Sequence, residues 1–169
     1  MLAGAEWRRA SEAGLKFRPV ADSDLPFLAQ VYASTRAEEI AVVPWSAQQK
    51  AAFLDMQFRA QHSHYQQHYP AAERLVILRR AEQLGRLYLD RGEREHSIID
   101  IALLPDYRRR GYGTALLQDL LDEAAAAGKA VEIYVEKFNP ALRLYRRLGF
   151  VPVEEQGVYD RMRWTPPPL

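Results

Sequence analysis

Between residues 98 and 135 the hydrophobic pattern changes period twice, and this limits the folds open to the chain. Ile98, Ile99, Ile101, Leu103 and Leu104 make a short apolar run stopped by Pro105, which reads as a strand. Beyond Gly111 and Gly113, Leu116, Leu117, Leu120, Leu121, Ala124 and Ala125 recur at helical spacing until Gly128 stops the helix. Residues 131–135 return to a strand. A strand, a helix and a strand in that order form a crossover whose strands run parallel and whose hand is right.

The remaining pattern builds around this unit. Residues 15–20 alternate as a first strand, and Asp22 or Ser23 is placed to cap a helix carrying Leu25, Phe27, Leu28, Val31 and Tyr32. Ser46 opens a second helix through Phe53, Leu54, Met56 and Phe58, closed at Tyr69 and Pro70. Runs at 74–80, 84–89 and 98–104, joined by short turns, read as an antiparallel meander. Asn139 and Pro140 suit a helix start as N-cap and first helical residue, and Gly149 ends that helix before two short strands near 150–155 and 158–164. The expected fold class is α/β with an α+β mixed sheet, a meander followed by a parallel β-α-β crossover. One domain over 15–164 is expected, with 1–14 a frayed leader or short loose helix and 165–169 a proline-rich extended tail.

Composition excludes several functions. The 169 residues carry 23 basic and 22 acidic side chains, a net charge of +1 that gives no reason to expect nucleic acid or an anionic membrane as partner. There is no cysteine, so disulfides, thiolate zinc sites and a thiol nucleophile are ruled out. No run approaches the roughly 18 apolar residues of a membrane span, and the early charges do not suit a signal peptide, so the chain reads as cytoplasmic. His64 and His68 share a helix face, but two histidines without a third ligand read as packing, and no metal is expected.

The turn inside the crossover carries the chemistry. Gly111 and Gly113 let backbone N–H groups approach a ligand with no Cβ in the way, and the following helix adds its unpaired N–H groups and partial positive charge. Arg108, Arg109 and Arg110 bring guanidinium donors to the same point, which suits a diphosphate. Three adjacent arginines also occur as a plain solvated run. The dinucleotide fingerprint is absent, since Leu116 stands where its third glycine belongs, and no Gly-Lys-Ser/Thr follows as in a Walker loop.

Two blocks resemble the GCN5-related N-acetyltransferase (GNAT) family. Residues 101–114, ending Arg108-Arg109-Arg110-Gly111-Tyr112-Gly113-Thr114, are similar to its strand and R/Q-x-x-G-x-G/A acetyl-CoA turn. Val135, Asn139, Tyr145, Gly149 and Phe150 resemble its V-x-x-x-N-x-x-A-x-x-x-Y-x-x-x-G-F region, with the alanine one position early at Ala141. The likeness covers about residues 15 to 163. It implies a GNAT-like acyl-CoA N-acyltransferase fold in which strands 98–104 and 131–135 splay apart.

The resemblance also implies a donor, acetyl-CoA, and an amine acceptor on a small molecule or peptide, with transfer by direct attack and no acyl-enzyme. Main-chain groups near Ile101, Ala102 and Leu103 would hold the pantetheine arm, the N–H near Leu103 facing the thioester oxygen. Residues Arg108 to Thr114, Tyr112 included, would hold the pyrophosphate, and Asn139 would touch the arm. Tyr145 matches the family's acid, which protonates the leaving thiolate; its other reading is a core residue packed beside Leu142 and Leu148. Asp100, an acid inside an apolar strand, is the candidate base, with Glu132 and Glu136 as rivals. Simple alternation, however, places Asp100 with Ile98 and Ala102, opposite Ile99, Ile101 and Leu103, a structural position unless a bulge re-aims it. Trp45 and the polar, aromatic helix holding Gln57, Gln61, His62, His64, Tyr65, His68 and Tyr69 would border the acceptor pocket, with ordinary packing as the other reading. Use of a longer acyl-CoA, a non-catalytic acyl-CoA sensor or scaffold, and a monomer or homodimer all remain compatible with the sequence.

Overall fold

A computed structural model describes residues 7–168. Seven strands, β1 (Leu15–Pro19), β2 (Glu73–Arg79), β3 (Glu82–Arg91), β4 (Glu95–Leu103), β5 (Ala130–Glu136), β6 (Val151–Gln156) and β7 (Tyr159–Trp164), form one sheet in the order β1-β2-β3-β4-β5-β7-β6. Every neighbouring pair is antiparallel except β4 and β5, which the crossover makes parallel.

One sheet face is the main core. Leu87 and Leu89 of β3, Ile98 of β4 and Val131, Ile133 and Val135 of β5 pack there against Leu116, Leu117, Leu120, Leu121 and Ala124 of helix α5 (Tyr112–Ala126). Leucines and branched residues alternate on these strands because only one side of the pleat is covered by this helix. The opposite face is covered over β3 and β4 by α2 (Leu25–Thr35) and α4 (Ala47–His68), joined through Leu28, Tyr32 and Phe58. Ser46 begins α4 as foreseen, its hydroxyl accepting from the Gln49 N–H while the Gln49 side chain accepts from the Ser46 N–H.

Several expectations change. The segment expected as a frayed leader or short loose helix is a short helix, but a packed one from Trp7 onward; residues 1–6 and 169 lie outside those described. Trp7 is 2% exposed, meets Phe17 edge-on, and precedes helix α1 (Arg8–Glu12), whose Ala10 is fully buried. Asp119 of α5 accepts from the Arg9 and Ala10 N–H groups, so α1 is clamped by a buried carboxylate too distant in sequence for local pattern to reveal. The first long helix also breaks at Arg36, and a separate turn of helix, α3 (Ala37–Ala41), follows it.

Helix α5 starts at Tyr112, because Gly111 takes φ 84° and serves as its N-cap. The last helix, α6 (Leu142–Arg147), begins two residues late. Asn139 still caps its approach, its Oδ1 accepting from the Ala141 N–H, but Leu142 N–H reaches back only three residues to the Asn139 carbonyl, so the first turn is tighter than α.

Behind the main core, Glu123 of α5 accepts from Trp7 Nε1 and from Arg91, and lies 2.9 Å from His96 Nε2. Burial pushes this carboxyl up, but those donors outweigh it and bring it down to about 2. Asp24, gripped by both Nη atoms of Arg18, is likewise lowered to about 2. A carboxyl depressed in the folded state stabilises it above the ordinary carboxylate range, and that stabilisation is lost as pH falls through the folded value. The thermal midpoint is therefore expected to fall steeply between about pH 4.5 and about pH 2, and Glu123→Gln should flatten the decline. A pH series of thermal melts monitored by circular dichroism checks this.

Candidate active site in the β4–β5 cleft

The cleft begins at one extra residue. Tyr88 of β3 pairs with Asp100 and Leu89 with Ile98, which leaves Ile99 unmatched as a bulge. The expected alternation is therefore corrected. Ile98 stays in the core against Leu89, whereas Asp100 moves to the opposite face beside Tyr88, because one inserted residue inverts every side chain after it.

The parallel pairing of β4 with β5 runs from Glu95/Ala130 to Ile98/Ile133 and stops at the bulge. Beyond it, β4 continues to pair with β3 through Ile101/Leu87, Ala102/Arg86 and Leu103/Gly85, while its other edge has no ladder partner. Along an antiparallel strand successive residues turn their backbone groups to alternate sides. Leu104 donates to the Leu84 carbonyl and Ala102 aims its carbonyl at Gly85, so both address β3. Ile101 and Leu103 therefore present their backbone to the open edge, and Ala102, grouped with them from sequence, does not.

At the end of this edge lies the arginine turn. Arg109 has φ 61° and Gly111 φ 84°, two left-handed residues within three positions. For arginine that conformation costs roughly 1–2 kcal/mol, a strain tolerated most often at functional turns. Among the described residues no side chain caps α5, so the N–H groups of its first turn, at Tyr112, Gly113 and Thr114, have neither an intrahelical acceptor nor a capping oxygen there. A Cβ on Gly113 would meet nothing nearer than 3.9 Å, so the approach to these groups is open. Arg108 folds back, its Nε donating to the Leu103 carbonyl at 2.8 Å and its Nη2 to Ser34 at 3.3 Å. Arg110 lies over the Tyr107 ring.

Tyr145 of α6 is 4% exposed and packs edge-on to Phe150, beyond the helix. Its hydroxyl has no hydrogen-bond partner among the described residues, yet is not sealed from solvent. Burial, and then the charge of Asp100, hold its phenol proton well above the usual range. Asp100 accepts at Oδ2 from Arg86 Nη2 (2.6 Å) and from the Tyr65 hydroxyl (3.2 Å).

The rival acids are engaged elsewhere. Glu136 is gripped bidentately by Arg36, at 2.7 and 3.1 Å, which ties the end of α2 to the end of β5. Glu132 lies among Arg161, Arg163 and Glu95, where burial and then Glu95 raise its carboxyl and Arg161 lowers it. On α4, Gln61 accepts from Arg86, Gln57 accepts from Tyr32, and Tyr65 meets Tyr88 edge-on, whereas His64 and His68 stack on each other. Arg86 was absent from the sequence-derived site. Its signal was a lone cation in the apolar run from Leu84 to Leu89.

The profile of the acetyltransferase (GNAT) family matches residues 35–150, most of the chain and all of the cleft. The chain belongs to the GNAT acetyltransferase family. Among curated relatives, an N-alpha-acetyltransferase of Sulfurisphaera tokodaii is 42% identical over 60 residues, 34% of this GNAT chain and 36% of the relative. The [ribosomal protein bS18]-alanine N-acetyltransferase of Escherichia coli is 43% identical over 58 residues, 33% of this chain and 39% of the relative. The chain thus spans little more than a third of the length of these relatives. Among solved structures, the PaiA N-acetyltransferase of Thermoplasma acidophilum in complex with coenzyme A superposes with a TM-score of 0.66 at 16% identity, covering 89% of this GNAT chain and 98% of that one. The mixed sheet with its parallel β4–β5 pair is therefore the GNAT fold, as the resemblance implied. No helix among the described residues is long and apolar enough to cross a membrane.

Proposed function

We propose that this GNAT protein transfers the acetyl group of acetyl-CoA directly to a primary amine. The observation that carries the reading is the unpaired edge of β4 leading into the uncapped N-terminus of α5. An extended pantetheine arm adds to the first as a strand, and a pyrophosphate meets the N–H groups and arginines of the second.

The chemistry follows from the groups around that edge. The amine nitrogen attacks the thioester carbon, and an N–H of Ile101 or Leu103 stabilises the oxyanion. Asp100 Oδ1, which accepts no hydrogen bond among the described residues, receives the proton the amine loses. The C–S bond then breaks, with the Tyr145 hydroxyl donating to the sulfur. A CoA thiol has an acidity of about 8.5, well below that of a buried phenol, so Tyr145 acts by hydrogen bonding and the thiolate takes its proton from solvent. Asn139 Oδ1 is committed to its turn, which leaves its amide N–H groups for the arm. The acceptor favoured by the relatives' names is a peptide α-amine, bordered here by α4 and Trp45. Residues 15–164 with α1 form the catalytic domain in this reading, as a monomer or homodimer in the cytoplasm.

Thiol release from acetyl-, propionyl- and butyryl-CoA is the test, with alanine-, serine- and methionine-terminated peptides, polyamines, aminoglycosides and free amino acids as acceptors. Turnover of acetyl-CoA with an amine is expected; tight binding of CoA without turnover across the panel would indicate a sensor instead. Arg108→Ala is expected to raise the acetyl-CoA KM about tenfold, the loss of one charge-assisted contact, with kcat little changed. Unaltered cofactor affinity would remove the pyrophosphate assignment.

A further inference from the structure

We propose that Arg86 is a positioning residue for the transfer, holding Asp100 by one carboxylate oxygen so that the other stays open to the acceptor amine. The inference rests on the reading of Asp100 as the group that receives the amine proton.

Arg86 lies inside β3 with its side chain 3% exposed, and its one ion-pair partner among the described residues is Asp100. Burying a guanidinium costs several kcal/mol unless it is well paired, so the residue needs a reason to be there. Its Nη2 serves Gln61 of α4 and Asp100 together, its Cζ lies 5.4 Å from the centroid of the Tyr88 ring, and its Nε is buried without a partner among the described residues. Those contacts fix the guanidinium from β3 and α4 at once.

The geometry of the pair differs from two other ion pairs in this chain. Arg18 takes both oxygens of Asp24, and Arg36 takes both oxygens of Glu136, the arrangement that satisfies a carboxylate completely. Arg86 takes only Oδ2 of Asp100, and the Tyr65 hydroxyl lands on that same oxygen. Oδ1 is left with no partner among the described residues and is not sealed from solvent. The bulge at Ile99 sets this up, since it puts Asp100 opposite Tyr88 and Ala102 opposite Arg86, on the unpaired stretch of β4. A carboxylate pinned by one oxygen has a fixed direction for the other, which is what a proton acceptor in a cleft requires.

The test is steady-state kinetics with acetyl-CoA and the fastest amine of the panel above, on Asp100→Asn, Arg86→Gln, Arg86→Lys, Tyr65→Phe and the Asp100→Asn/Arg86→Gln double variant. Asp100→Asn is expected to lower kcat about 100-fold. Arg86→Gln should lower kcat about tenfold, a misplacement effect, with the acetyl-CoA KM within about twofold of wild type. Arg86→Lys should recover part of the loss. Tyr65→Phe, which keeps the ring and its packing, should show a smaller loss of the same kind and serves if Arg86→Gln does not fold.

The double variant should be no slower than Asp100→Asn alone, because Arg86 then has nothing to position. Additive losses, or a change confined to the acetyl-CoA KM, would overturn the inference. Loss of kcat in Asp100→Asn with none in Arg86→Gln or Tyr65→Phe overturns it while leaving the Asp100 reading intact. Full kcat in Asp100→Asn, or no turnover of any amine, removes that reading and the inference with it.

Discussion

Tyr145→Phe is expected to lower kcat by about 10²–10³-fold while leaving acetyl-CoA binding and the thermal midpoint nearly unchanged, the cost of removing one donor aimed at developing charge. The ring is buried against Phe150, and phenylalanine keeps that packing. What disappears is a hydroxyl with no hydrogen-bond partner among the described residues, so folding loses little with it. The proton is firmly held, because burial and the charge of Asp100 both oppose its ionisation. A donor that stays protonated at any pH the enzyme meets adds no basic limb of its own to the rate profile. Stopped-flow thiol release with saturating acetyl-CoA measures the effect, and unchanged kcat in Tyr145→Phe would remove the tyrosine from the mechanism.

The second large effect belongs to Gly85. A Cβ built there would lie 2.0 Å from the Ala102 carbonyl oxygen and 2.9 Å from Leu103 Cα. These are backbone atoms of β4, so no rotamer change relieves the clash, and Gly85→Ala must push β4 away from β3. A loss of about 3 kcal/mol or more is expected, the upper end of overpacking effects, and a thermal midpoint lower by roughly 10 °C. The displaced strand is the one whose free edge presents Ile101 and Leu103, so coenzyme A affinity should fall together with stability. Calorimetric titration of coenzyme A, beside thermal melts, distinguishes this from simple unfolding. A stable Gly85→Ala protein with normal affinity would show that the contact of β3 and β4 yields easily.

Local pattern was enough for much of the fold and for the glycine turn that opens α5. The crossover, the meander, the Ser46 cap and the glycines before α5 all rest on neighbours within a few residues, where propensity and period act directly. The site divides differently. Tyr145 and the arginine turn were recognisable because each sits in a compact motif of a known family. Arg86 was not, and Tyr65 was legible only as part of an acceptor-bordering helix, since their contacts to Asp100 depend on β3 and α4 meeting over a single carboxylate. The packing of Trp7 onto Glu123, 116 residues away, was equally out of reach of any local period.

Asp100 marks the boundary. Its presence in an apolar strand was plain from the residues alone, as was the order of elements that makes β4 and β5 parallel. Which way it faces, and where the two strands part, was decided only when β4 paired with β3. A bulge is one residue more on one strand than on its partner, and no single strand's sequence contains that count.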